Sequence, residues 1–252
     1  MKQKRRIILA IICALVIVGL PLLWLVHGSA PSSKNIKQTK TASKGTSAEA
    51  TRTPDATGFN KSQFSTDDPS SIWVVVNKQR PLSPKAYAPA DLVILPGGQY
   101  MRSEAAAALN SMIAAAKNTG HTITAASAYR SYDTQVAVYG REVQANGQAV
   151  ADTQSARPGY SEHQTGLAVD IAGGGCSIED CFGETAEGKW VAAHAHEYGF
   201  IMRYPPGKQS VTGYRTEAWH FRYVGEALAT ELHRTGILTL EEFFDLGAAP
   251  DY

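Results

Sequence analysis

Ser161-Glu162-His163-Gln164-Thr165-Gly166-Leu167-Ala168-Val169-Asp170 is the stretch on which the reading of this chain turns. Taken as a strand, residues 166–171 place Leu167, Val169 and Ile171 on one face and Gly166, Ala168 and Asp170 on the other. Two small residues beside one carboxylate leave room for an ion. Farther along, Glu217-Ala218-Trp219-His220 opens a second alternating run. There Trp219, Phe221 and Tyr223 form an apolar row, while His220 and Arg222 share the opposite side. Taken singly, His163 reads as a loop residue, Asp170 as a strand-end cap and His220 as a satisfied interior histidine. Together with Glu217 they read as a zinc hydrolase site, because a buried imidazole or carboxylate without a partner is costly. Three ligands of the His/Asp/His kind leave a fourth tetrahedral position open. Glu217 is then placed to move protons there.

Working outward, Pro158-Gly159-Tyr160 is a loop that leaves Ser161 and His163 free to line a cleft. Upstream, Ile72-Trp73-Val74-Val75-Val76 is a β-prone run, and 81–96 is extended and turn-rich. A helix follows, capped by Ser103, striped by Leu109, Met112 and Ile113, and stopped at Asn118-Thr119-Gly120. Residues 121–128 form a strand that delivers Arg130, and 133–146 a helix beginning just after Ser131, with Gln135 in its first turn. Downstream, 189–198 is helical, 200–204 is a strand, and 225–235 and 240–246 are helices. His194 and His196 lie two apart, which splits them across a helix, and no His-Glu-x-x-His is present, so neither is taken as a ligand. The expected fold is α+β, with helices packed on a central, mostly antiparallel sheet.

The ordered set Ser161-x-His163-x-x-Gly166-x-Ala168-x-Asp170 and Glu217-x-Trp219-His220 resembles the VanX/VanY-type zinc D-alanyl-D-alanine carboxypeptidases and dipeptidases. The resemblance extends to Ala128-Tyr129-Arg130-Ser131-Tyr132-x-x-Gln135 and to Val76-Asn77-Lys78 with Pro81-Leu82, and covers residues 72–235. It implies one Zn2+ per domain on His163, Asp170 and His220, Glu217 as catalytic base, and Arg130 as the donor to the substrate oxyanion. Tyr129, Gln135 and Ser161 would line the substrate pocket. The implied activity is removal of the terminal D-alanine from peptidoglycan stem peptides. An L,D-carboxypeptidase, a D-Ala-D-Ala dipeptidase, or a wall-binding module without hydrolysis are the alternatives. Ser-x-x-Lys and Lys-Thr-Gly do not occur, which argues against penicillin-binding-type serine chemistry.

The N-terminus departs from the 44% hydrophobic average of these 252 residues. Basic residues in 1–6 precede an uncharged apolar run, 7–26, long enough at about 1.5 Å per residue to cross a bilayer core. The expected order is a cytoplasmic tail (1–6), a single transmembrane anchor (7–26), a disordered linker (27–70) and an extracytoplasmic catalytic domain (71–252). A cleaved signal peptide ending near Gly28-Ser29-Ala30 is the competing reading. Residues 1–70 carry ten Lys/Arg against four Asp/Glu, and 71–252 fourteen against nineteen. So acidic a domain gives no footprint for nucleic acid. Outside the membrane Cys176 and Cys181 are expected to form a disulfide, since no further cysteine exists there to complete a metal site. A monomer is expected.

Overall fold

In the computed structural model, residues 58–252 are described. The expected tail, transmembrane segment and most of the linker lie outside them. Among the described residues no helix is long and apolar enough to cross a membrane.

The described chain starts earlier than the composition suggests. Phe59 stacks on Trp73 with ring centroids 5.7 Å apart, and Phe64 meets the same indole edge-on at 5.0 Å. Through these two rings the stretch 58–70, otherwise mostly exposed, touches the domain that follows it. These two aromatic rings were the signal available in a polar stretch.

The run 72–76 is not a strand: Ile72 and Trp73 lie in a turn closed by the Val74 N–H on Ser71 O at 3.3 Å, and Trp73 to Val76 are buried. Its polar backbone atoms are met by neighbouring groups instead of a ladder. The Val75 N–H donates to Thr66 O, and Arg222 Nη2 donates to Ile72 O and Val74 O. A hairpin that was not expected, β1 (Leu92–Ile94) and β2 (Tyr100–Arg102), interrupts the turn-rich segment after it.

Helix α1 (Ser103–Asn118) has the expected apolar stripe and ends at Gly120, whose φ of +87° suits glycine. Ser103 is its first residue rather than its cap, which is Arg102. β3 (Ile123–Ser127) leads to α2 (Tyr132–Asn146), whose N-cap Ser131 accepts from the Thr134 N–H at 3.1 Å. A further short helix, α3 (Gln148–Gln154), packs against α2. After the 3-10 turn Glu162–Thr165 come β4 (Ala168–Gly173) and β5 (Cys176–Ser177). Next are α4 (Ala186–His194), β6 (Phe200–Met202) and α5 (Gln209–Thr212). The chain finishes with β7 (His220–Tyr223), α6 (Glu226–Thr235) and α7 (Leu240–Phe243). Only the first turn of the helix expected over 240–246 forms α7.

The main sheet runs β3-β4-β7-β6 with β5 on the end of β4, and every pairing is antiparallel. The α+β expectation holds. Leu167, Val169, Ile171, Trp219, Phe221 and Tyr223 join one core with the buried side chains of α1 and α4. That leaves the alternate side chains of β4 and β7 to the opposite face, where the site lies. A second apolar cluster gathers Trp73 and Val75 with α6 and α7. The described residues belong to one compact unit.

Candidate active site

Register brings the site together. In the β4–β7 ladder Asp170 pairs with His220, so their side chains leave the same face next to each other. Asp170 also stands opposite Ser127, where a register shift between Ala125 and Ser127 bends the end of β3. That bend lets Ala128 and Arg130 grip the 3-10 turn carrying His163. The His163 ring Nδ1 lies 2.7 Å from Ala128 O, and the Arg130 N–H donates to His163 O at 3.2 Å. With Nδ1–H committed to a carbonyl, His163 presents Nε2. His220 presents Nδ1, and the turn Glu217–His220 folds the Glu217 carboxylate to 3.7 Å from it.

The ligand atoms of His163, Asp170 and His220 lie within 4.8 Å of one another. Asp170 Oδ2 is 3.4 Å from His163 Nε2, and Oδ1 is 3.3 Å from His220 Nδ1. Zinc takes imidazole nitrogens and carboxylate oxygens of this kind at about 2.0–2.2 Å, so the donor types and their closeness suit the ion. Asp170 Oδ1 is buried without a hydrogen-bond partner, as a waiting ligand atom is. Among the described residues this is the one cluster of three such groups. His194 instead meets Glu197 at 3.0 Å, and His196 stacks on His233.

The electrostatics separate the carboxylates. Burial alone would raise Asp170, but His163 and His220 overcome it and keep Asp170 ionised, well below the usual range. Glu217 is pushed up to about 7 by burial; His220 opposes this and Asp170 adds to it. A carboxylate poised near neutrality suits general acid–base work. For His220, burial lowers affinity for the proton, yet the nearby carboxylates of Asp170 and Glu162 raise it to about 9. Arg130 is lowered by burial and held up by Asp170 and Glu217, and its Nε has no hydrogen-bond partner.

These groups line a cavity of about 360 Å³ together with Ser161, Tyr204, Tyr214, Arg215 and Trp219. The cavity lining includes neither Gln135 nor Tyr129. Gln135 is wholly buried behind the wall, and its Nε2 donates to Ala156 O at 2.7 Å, fixing the Ser155–Ala156 stretch that does face the cavity. Tyr129 is half-buried, and its N–H joins Tyr100 O of β2. Cys176 and Cys181 are disulfide-bonded, and Ile178 inside that loop reaches the cavity rim. Sequence reasoning missed Tyr204, whose ring lies 4.8 Å from both His220 and Tyr214, and Arg215. It also missed Glu162, although that acid sits inside the decisive stretch.

Such a fold and donor set define a zinc peptidase. Residues 98–226 match the VanY family, described as D-alanyl-D-alanine carboxypeptidase. YodJ of Bacillus subtilis (strain 168), which carries a carboxypeptidase name, is 45% identical over 71% of this chain and 68% of its own length. The solved LdcB LD-carboxypeptidase is 45% identical, with a TM-score of 0.65 over 70% of this chain and 87% of that one. A vancomycin-resistance D,D-pentapeptidase VanY solved with Zn(II) is 33% identical, with a TM-score of 0.61 over 70% of this chain and 99% of that one. The chain belongs to the VanY family of D-alanyl-D-alanine carboxypeptidases.

Proposed function

We propose that this chain is a zinc-dependent D,D-carboxypeptidase that removes the terminal D-alanine from peptidoglycan stem peptides. The observation that carries the proposal is the meeting of His163 Nε2, Asp170 and His220 Nδ1, with Glu217 3.7 Å from the last. In this reading the first three residues hold the ion. Bound zinc supplies Lewis acidity and lowers the pKa of water towards about 7. Glu217 accepts a proton from the attacking water, whose oxygen bonds to the scissile carbonyl carbon. As the carbon–nitrogen bond breaks, Glu217 returns that proton to the departing amino group. Arg130, its Nε unpartnered and its charge fixed, receives the carbonyl oxygen as negative charge builds there. Ser161 lines the substrate pocket.

The apolar run 7–26, with basic residues before it, supports a single-pass anchor in the cell membrane with the catalytic domain outside the cytoplasm. A monomer on such an anchor would reach wall-bound stems. The LdcB likeness favours a second reading, L,D-carboxypeptidase action on tetrapeptide stems. Mass spectrometry of pentapeptide and tetrapeptide stems incubated with the protein tests both. Loss of one D-alanine from the pentapeptide, with the tetrapeptide spared, is the expected result; trimming of the tetrapeptide alone would replace the first reading with the second.

A further inference from the structure

Glu162 is wholly buried, yet its two carboxylate oxygens are used very unequally. Oε1 accepts from both Arg203 Nε at 2.8 Å and Arg222 Nη1 at 2.7 Å. Oε2 has no hydrogen-bond partner and lies 3.5 Å from His220 Nε2, which has none either. A simple counter-ion for two guanidiniums would offer one oxygen to each. Here both guanidiniums crowd one oxygen and the other faces the imidazole.

The rest of the cluster explains why the carboxylate cannot turn away. Arg203 spends its two remaining nitrogens on a bidentate pair with Glu241, Nη1 to Oε2 at 2.9 Å and Nη2 to Oε1 at 2.6 Å. Glu241 Oε1 also accepts from Asn77 Nδ2 at 2.9 Å. Arg222 is tied to Ile72 O, Val74 O and Tyr223 O. The four charges balance, and all are buried. Glu162 itself is the residue before His163, in the same 3-10 turn.

Metal-ligating histidines are commonly oriented by a carboxylate on the ring nitrogen that does not touch the metal, and such partners add to ligand basicity. If Nδ1 of His220 faces the ion, Nε2 carries the proton and points at Glu162 Oε2. We propose that Glu162 is a positioning residue of the metal site, holding His220 with Nδ1 towards the ion, and that Arg203 and Arg222 fix the carboxylate for this task. The proposal rests on His220 being a zinc ligand, as set out above.

The test uses the full chain and three variants, Glu162→Gln, Glu162→Asp and Glu241→Gln, stripped of metal by chelation. Zinc affinity is read by competition with a chromophoric chelator, and ligand geometry by the visible spectrum of the cobalt(II)-substituted protein. Glu162→Gln is expected to weaken zinc by about 10–100-fold and to shift the cobalt bands. Glu162→Asp keeps the charge that Arg203 and Arg222 need but draws the carboxylate back from His220, so it carries the same expectation if the glutamine variant does not fold. Glu241→Gln disturbs the same buried network without facing His220 and is expected to lower thermal stability while leaving zinc affinity and the cobalt spectrum unchanged. Zinc affinity and cobalt bands at wild-type values in the Glu162 variants would overturn the proposal, as would an equal loss in Glu241→Gln. A wild-type chain that takes up no zinc would overturn the zinc reading itself, a distinct outcome.

Discussion

Glu217 and Asp170 are both buried acids beside the same imidazole, and their surroundings set them apart. Asp170 has two histidines on it and stays ionised; burial lifts Glu217 to about 7. That difference fits the proposed roles of Asp170 as ligand and Glu217 as base. Glu217→Ala is expected to cut turnover by roughly 10²–10⁴-fold while zinc remains bound, measured as kcat/KM alongside metal content. Near-normal turnover would remove Glu217 from the role of base. The pH dependence has a definite sign. A base works only when unprotonated, so kcat/KM falls as pH drops through the Glu217 pKa. Burial places that value at about 7 without metal, and a nearby dication can only pull it down. The acid limb of the pH–rate profile is expected at or below pH 7. A limb clearly above pH 8 would contradict the assignment.

Two ligands arrive from one short element because the chain reverses at Gly166. It closes the 3-10 turn of His163 with a φ of +70° and feeds directly into β4, which carries Asp170. A Cβ there would stand 3.0 Å from both Arg102 Cγ and Leu92 Cδ2. Gly166→Ala is therefore expected to cost about 1 kcal/mol or more in denaturant unfolding and to weaken zinc, since His163 shifts against Asp170. An alanine variant as stable and as zinc-loaded as the parent would show that this turn is not what sets the ligands. At this scale the alternation in 166–171 and 219–223 was legible, because one face of each strand must be apolar and the other is spent on chemistry. Residues 72–76 misled, since a β-prone run satisfied by Arg222 and Thr66 looks identical in sequence to one satisfied by a ladder. Gln135 was placed in the right turn but on the wrong side of the wall. Helical position fixes the face, and only packing reveals what that face meets. Glu162 was invisible for a related reason: its partners Arg203 and Arg222 lie 41 and 60 residues away, and no spacing rule links them.

Across the molecule, the site is supported from three separated parts of the chain. The entry segment, the β4–β7 ladder and the α6–α7 end meet where Arg222 joins Ile72 and Val74 and where Trp73 Nε1 donates to Val224 O at 2.9 Å. Phe59, outside the boundary that composition suggested, closes this assembly by contacting both Trp73 and Phe243. Composition averages over a window, so two aromatic rings in a Ser/Thr-rich stretch do not register. Phe59→Ala is expected to lower unfolding free energy by about 1–2 kcal/mol with turnover unchanged, read by denaturant unfolding and a D-alanine release assay. No loss of stability would show that the Phe59 contacts add nothing to the fold.

The claim beneath all of this is that side chains from three strands and turns converge on one zinc ion that the reaction needs. The direct measurement is zinc content and D-alanine release from a pentapeptide stem, before chelation, after it and after zinc is returned. One zinc per chain, activity lost with the metal and regained with it, and neither retained in His163→Ala or His220→Ala is the predicted result. Full turnover by the metal-free protein, or undiminished zinc in those two variants, would contradict it.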